Sequence, residues 1–427
     1  MTTHVAAHNQ IQSSPAESVS PLCRFCSAPL EHTFVDLGMS PLCESYVPRE
    51  RLGAMEPFYP LHVRICEQCL LVQLEEFVAP EEIFTEYAYF SSYSDSWVAH
   101  ARAYVDAAVE RFGLDENSLV VELASNDGYL LQHVVERGIP ALGVEPAANV
   151  AAVAQERGIK TIVEFFGRDL GARLASDGRP ADLIAANNVM AHVPDLNDFV
   201  GGMKALLAPR GVVTIEVPHL VRLVDGNQFD TIYHEHFSYF SFLSAARVLS
   251  AHGLEVFDVQ QLASHGGSLR LYAQHRHGGA QSVSGRVKAL AEEERELGFG
   301  TLEGHAGFAP RVEDTKWSLL EFLIAARREG KTIAGYGAPG KGNTLLNYCG
   351  IRTDLLDFTV DRNPYKQGQF LPGTHIPIKD PDALQQARPD FILILPWNLK
   401  EEIASQLSYT REWGARCVVP IPEVEVL

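Results

Sequence analysis

A chain of 427 residues is too long for one hydrophobic core, and its 46% hydrophobic content is ample to fill two or three. The formal net charge of −19 argues against a nucleic-acid partner, because neutralising phosphates needs basic surface. No apolar run approaches the roughly eighteen residues of a spanning helix, so no membrane partner is expected. Residues 1–20 are rich in Ala, Ser, Gln and Asn, with neither a basic start nor an apolar block. They read as a disordered tail and not as a secretory signal, which predicts a cytoplasmic protein.

In chain order the first predicted unit, residues 21–80, is built on two knuckles, Cys23-Arg24-Phe25-Cys26 and Cys66-Glu67-Gln68-Cys69. A C-x₂-C pair puts two thiolates on one tight turn, and two such turns complete a tetrahedral sulfur shell for zinc. With four thiolates and no open position the ion is expected to be structural. Disulfides are the alternative, and the lack of a secretory signal argues against them. Pro29, Gly38, Pro41, Pro48 and Pro60 suggest that the gap between the knuckles is filled with turns. So small a core would fold largely through the metal, worth on the order of 10–16 kcal/mol in finger peptides. Cys43 stands outside this scheme, and Cys349 and Cys417 read as ordinary buried thiols.

Residues 70–74 read as a strand and 80–84 as the start of a helix. An aromatic and hydroxyl cluster follows, from Tyr87 through Tyr89, Phe90 and Tyr93 to Ser94. It suits either interdomain packing or a lid over a ligand. Residues 94–112 then read as a helix leading into the second unit, 81–280.

That unit opens with an apolar strand at 119–123 that breaks into Ala124-Ser125-Asn126-Asp127-Gly128. A helical pattern follows, with Leu130, Leu131, Val134 and Val135 on one face, and then a strand at 141–144 that ends in Glu145. This is the opening of a doubly wound nucleotide-binding sheet, in which an acid ending the second strand accepts the hydroxyls of a ribose. Ala124 and Asn126 stand where a dinucleotide site carries glycines, Asp127 would repel a pyrophosphate, and Glu122 suits a cationic ligand. S-adenosylmethionine carries a sulfonium and an ammonium, so the pattern points to a methyltransferase core.

Further strands are predicted at 161–162, 182–186 and 211–218, the last preceded by a helix at 196–207 and a Pro-Arg-Gly turn. Strands at 254–260 and 268–274 close the sheet. Phe166, beside Phe165, is a candidate adenine neighbour. Asn187, Asn188 and His192 follow the fourth strand, where ligands of open α/β sheets sit.

Between the fifth strand and the closing pair lies the densest chemistry of the chain, Tyr233-His234-Glu235-His236. Acid–base work beside the cofactor is one reading, since His takes a proton near neutral pH and Tyr can stabilise an oxyanion. Metal binding by His234 and His236, which point the same way on an extended chain, is a second. A polar loop clamped over the sheet is the third.

The last predicted unit, 281–427, begins with helices at 287–297 and 316–328, a strand at 332–334, and Gly335-Tyr336-Gly337-Ala338-Pro339-Gly340-Lys341-Gly342. The run satisfies G-x-G-x-x-G, but Gly342 replaces the hydroxyl residue that would hold magnesium in a P-loop. A strand at 358–360 ends in Asp361 at the distance expected of a ribose-binding acid, so NAD stays open. A third strand is predicted at 391–395. Gly337, Lys341, Asn343, Asp361, Asn363, Lys366 and Gln367 are the candidate substrate contacts, with the two lysines as an anion cradle at a helix N-terminus.

The two knuckles, the E-L-A-S-N-D-G turn, the N-N-V-x-A-H run and the Y-H-E-H-F-S-Y loop together resemble the zinc-containing, S-adenosylmethionine-dependent sugar C-methyltransferases, from about Cys23 to the C-terminus. The resemblance implies an α/β protein with a small N-terminal zinc-binding domain, a central class I methyltransferase doubly wound sheet and a C-terminal Rossmann-like domain holding the nucleotide-diphosphate handle. It implies methylation at C3 of a dTDP-linked keto-deoxysugar in antibiotic biosynthesis. Cys23, Cys26, Cys66 and Cys69 would hold zinc. Glu122, Ala124, Asn126, Asp127 and Gly128 with Glu145 would hold the cofactor, and Tyr87, His192, Tyr233, Glu235 and His236 would surround the sugar. Ala124 departs from the glycine common in the family and is expected to narrow the turn slightly.

Carbon methylation needs a base at C3 and a stabiliser for the enolate oxygen at C4. His236 is the expected base, oriented by Glu235 or a neighbour, with Tyr233 and His192 as stabilisers, and the reverse roles of Tyr233 and His236 stay open. Two rivals remain: an N- or O-methyltransferase on a related sugar, and a NAD-dependent nucleotide-sugar enzyme. A monomer or weak homo-oligomer is expected.

Overall fold

The computed structural model describes residues 20–84 and 90–427. The predicted tail up to residue 19 and Tyr87 lie outside the described residues.

Three sheets organise the chain. The central one has seven strands in the order Leu254–Leu262, Ser268–His275, Leu207–Pro218, Ala181–Asn187, Val120–Leu123, Ala141–Val144 and Thr161–Ile162. The five from Leu207–Pro218 onward run parallel, and the last two in sequence add an antiparallel hairpin at the opposite edge. The order reverses at Val120–Leu123, so the crevice at its carboxyl end is where a ligand of such a sheet binds. This is the class I methyltransferase arrangement. The C-terminal sheet has six strands, Ile378–Lys379, Thr359–Val360, Ile333–Tyr336, Phe391–Ile394, Arg416–Val419 and Glu425–Val426, all parallel but the last.

The third sheet holds the main departure from expectation. The stretch between the knuckles is not chiefly turns: His32–Ser40 and Tyr59–Ile65 pair antiparallel, and Gly38, at φ +73°, sits in an irregularity of that register. Val72–Leu74 joins them, and the fourth strand is Ser238–Tyr239, from the far end of the histidine loop. Pairing across more than 160 residues carries no local signature. The strands of this sheet pack into one core, and the residues just outside them, Leu30 and Leu71, into another. Phe34, Val35, Leu61 and Val63 pack with Phe308, Leu319 and Leu345 of the C-terminal fold. Leu30 and Leu71 pack with Phe240, Phe242 and Leu269 of the central fold.

Smaller corrections have local causes. The helix after the nucleotide turn is short, Leu131–Val135; Leu130 precedes it, and Val135 turns outward at 42% exposure. The fifth strand starts at Leu207 and continues through the expected Pro-Arg-Gly turn, with a register shift opposite Ala181–Leu183. The helices Ala148–Glu156, Arg168–Asp177 and Phe242–Ala251 had no predicted counterpart. The helix Asp95–Phe112 is as its ends dictate: Ser94 Oγ caps Trp97 N, and Gly113 closes it in the left-handed conformation. No helix among the described residues is long and apolar enough to cross a membrane.

Candidate active site

The two knuckles have the same local geometry. Ser27 N donates to Cys23 O at 2.9 Å and Leu70 N to Cys66 O at 2.8 Å, each with a left-handed residue after the second cysteine, at φ 61° and 59°. The four sulfurs of Cys23, Cys26, Cys66 and Cys69 lie within 4.8 Å of one another. No other group of three or more metal-ligating side chains gathers among the described residues. His234 does not join His236: its Nε2 meets Tyr59 O at 3.3 Å, while His236 faces a separate cavity. The metal reading of that loop therefore loses its geometry.

A cavity of about 750 Å³ opens at the carboxyl end of the central sheet, walled by all three parts of the chain. One wall carries Ala124, Asn126, Glu145, Phe166, Asn187 and Asn188. Ala124 and Asn126 both take left-handed backbone, φ 56° and 49°, a conformation that a glycine at the first position would adopt without strain. Glu145 holds the turn in shape: Oε2 accepts from Asn126 N and Oε1 from Ala147 N, both at 2.9 Å. Gly128, at φ +80°, has no room for a side chain, since a Cβ would meet Ile159 Cδ1 at 2.3 Å. Asp127 lies behind the turn, accepting from the Ser92 amide and hydroxyl and pairing with Arg157 at 3.6 Å. Glu122 is buried in the strand and does not border the cavity. Desolvation pushes its carboxyl well above the usual range, against the Tyr129 hydroxyl.

The facing wall carries His192, Tyr233, Glu235 and His236. The rings of Tyr233 and His236 are 4.1 Å apart, and those of His192 and His236 4.6 Å apart, edge to face. His236 Nδ1 donates to Thr231 O at 2.9 Å. A carbonyl only accepts, so Nδ1 holds the proton and Nε2 is the nitrogen able to take one. The orienting group is thus the Thr231 carbonyl. Glu235 does not hold His236; its Oε1 accepts from Cys43 Sγ at 3.8 Å, and both residues line the cavity. Burial pushes His192 down to about 4, although its ring donates to the Glu235 carbonyl, so its imidazole is neutral at pH 7.

The third wall pairs Cys43 and Glu44 with Pro339, Gly340 and Lys341. Of the seven expected substrate contacts only Lys341 borders the cavity, its ammonium bonded to Asn398 Oδ1 at 2.9 Å and over the Trp397 ring. The other six have internal roles. Asp361 accepts from Ala338 N and Asn363 N, and Gln367 donates to the Asp361 carbonyl. Asn363 accepts from Tyr365 N, and Lys366 donates to Ala338 O. Asn343 is buried and donates to Cys43 O, and Gly337 lies against Pro396 at φ +86°. Cys43 and Glu44 are the residues sequence reading left out. Nothing around Cys43 in the sequence signals that it reaches a loop nearly 200 positions away.

Three family models match the chain: a putative zinc binding domain over residues 23–84, a methyltransferase domain over 97–259, and a C-methyltransferase C-terminal domain over 263–422. The chain belongs to the S-adenosylmethionine-dependent C-methyltransferases. It is 38% identical to the C-methyltransferase NovU of Streptomyces niveus over 405 residues, 95% of this chain and 96% of that protein. A ubiquinone biosynthesis O-methyltransferase of Rhodopseudomonas palustris is 24% identical over 124 residues, 27% of this chain and 49% of that protein. Among solved structures, an S-adenosylmethionine-dependent methyltransferase from Anabaena variabilis superposes with a TM-score of 0.35 at 11% identity, over 41% of this chain and 84% of that one.

Proposed function

We propose that the chain methylates C3 of a dTDP-linked 4-keto-deoxysugar, by way of an enolate formed when C3 loses its proton, in deoxysugar and antibiotic biosynthesis. The observation that carries the reading is the Thr231–His236 hydrogen bond, which makes Nε2 the unprotonated ring nitrogen of a histidine bordering the same cavity as the cofactor turn. An N- or O-methyltransferase would leave that arrangement underused.

The residues present fit both expected groups. Asn187 Oδ1 and both side-chain polar atoms of Asn188 are buried without a hydrogen-bond partner, beside Glu145 and the left-handed turn, as suits a polar cofactor. Four sulfurs at the separations found here suit a tetrahedral ion with bonds of about 2.3 Å, which supports zinc in a structural role. S-adenosylmethionine, when bound, supplies an electrophilic methyl group on a sulfonium.

The chain supplies the rest. His236 Nε2 takes the C3 proton as the C3–H electron pair moves toward C4 and its oxygen. Tyr233 and neutral His192 border the same space and stabilise the charge that collects there. Lys341 is the cavity's cation for the substrate's phosphate groups. The dinucleotide alternative is disfavoured, because Asp361, unlike Glu145, does not border the cavity, and Cys43 and Glu44 crowd the start of the helix Gly340–Cys349.

The test is exchange without transfer. Wild-type protein with S-adenosylhomocysteine and a thymidine-diphosphate-linked 4-keto-6-deoxysugar in heavy water is expected to exchange the C3 proton, read by NMR. The ketone acidifies C5 as well, so exchange at C5 alone overturns the position. Exchange at neither carbon overturns the enolate route.

A further inference from the structure

Glu235 is a buried carboxyl in the active cavity, and the Cys43 thiol is the one neighbour that favours its charged form. Its one side-chain hydrogen bond comes from the Cys43 thiol, itself 3% exposed, and the next charge along is the carboxylate of Glu44. Two lysines of the C-terminal fold lie nearest, Lys341 in the cavity wall and Lys366 behind it, and neither bonds the Glu235 carboxyl. Lys366 is held by Ala338 O and lies 3.7 Å from Glu44, and Lys341 is held by Asn398 and the Trp397 ring. His192 donates to the backbone carbonyl of Glu235, not its carboxyl, and the Nδ1 proton of its neighbour His236 goes to Thr231. Tyr239, from the same loop, is also buried, and burial holds its phenol neutral.

We infer that Glu235 works as a neutral carboxylic acid, donating a hydrogen bond to the ketone oxygen on which enolate charge collects, with Cys43 as the positioning residue that fixes the acid. This rests on the carbon-acid reading above. A carboxylate in the same place would repel the developing enolate, whereas a fixed O–H donor stabilises it without reorganising. Glu235 keeps its proton throughout: the C3–H bond breaks toward His236, and the carboxyl only donates. Burial and the Glu44 charge push Glu235 up to about 8, against the Cys43 hydrogen bond. The donor is therefore present below that pH and lost as pH rises through it.

Glutamine separates this role from that of a carboxylate, because it donates but does not ionise. Wild-type exchange is expected to fall as pH rises through about 8. Glu235→Gln should keep exchange within about tenfold of wild type and lose that alkaline fall, while Glu235→Ala should lose about 10²–10³-fold. Glu235→Gln as impaired as Glu235→Ala, with S-adenosylhomocysteine still bound by calorimetry, overturns the proposal. So does an alkaline fall that survives in Glu235→Gln. Two variants that leave Glu235 in place add an arm that does not depend on its replacements folding. Cys43→Ala removes the bond that favours ionisation and should move the fall to higher pH; Glu44→Gln removes the repelling charge and should move it lower. A fall that moves with neither also overturns the proposal. Absence of wild-type exchange at every pH counts instead against the enolate reading.

Discussion

Tyr239 pairs with Val72 across an antiparallel bridge, so the loop that carries His236 ends as the edge strand of the cysteine-bearing sheet. The adjoining pair, Gln73 and Ser238, tightens the link, because Gln73 Nε2 also donates to Cys23 Sγ at 3.2 Å. Metal analysis is therefore expected to find about one zinc per chain. Removing it with a chelator should abolish C3 exchange as the sheet edge loosens, even though no thiolate borders the cavity. Metal-free protein with full exchange would break this link.

Glu145→Ala removes the acid that accepts from Asn126 and Ala147 and borders the cofactor wall. S-adenosylmethionine affinity should fall by about 1.5–3 kcal/mol, the range for hydrogen bonds to a charged group. Unchanged affinity by calorimetry would mean that the ribose sits elsewhere.

For the proposed base, His236→Asn keeps a donor for the Thr231 carbonyl and loses the titratable nitrogen. It should bind both ligands yet lose exchange and methylation together, by about 10²–10⁴-fold. Tyr233→Phe should retain exchange if the phenol only stabilises charge. Exchange that persists in His236→Asn and vanishes in Tyr233→Phe would reverse the two roles.

A stability prediction comes from the central sheet. Glu216 is fully buried; Arg270 bonds it through Nε at 2.7 Å, and His100 at 3.1 Å. Burial opposes its charge, but these partners outweigh burial and hold the carboxyl below the usual range. With a folded pKa depressed, the stabilisation is present above the unfolded value and is lost as pH falls through the folded one. Arg270→Met leaves the buried carboxylate with His100 alone and should cost about 3–5 kcal/mol in denaturant unfolding at neutral pH. A loss under 1 kcal/mol would show that His100 alone suffices, or that water replaces the guanidinium.

The parts legible in sequence were those whose cause is local. A tight turn of two cysteines, the small residues from Ala124 to Gly128, and the acid at the end of the next strand each reflect chemistry that neighbouring residues complete. The parallel strands of the central sheet were readable as short apolar runs for the same reason. What escaped depends on distant chain. Asn343, Asp361 and Lys366 looked like ligand contacts because their types suit one, but their hydrogen bonds go to Cys43, to the Ala338 amide and to the Ala338 carbonyl. Ser238–Tyr239 is too short to announce itself as a strand until Val72 lies beside it. Cys43 looked superfluous because its partner, Glu235, lies so far along the chain.

The borrowed edge strand also bears on making hybrid enzymes. A crossover that exchanges only the first eighty residues between two relatives would pair one parent's Val72 with the other's Tyr239, and one parent's Cys43 with the other's Glu235. A graft limited to residues 97–259 has the opposite defect: it carries the reactive loop without the scaffold that fixes its end. The cysteine module and the segment from Thr231 to Tyr239 therefore form one transplantable cassette, discontinuous in the gene and continuous in space.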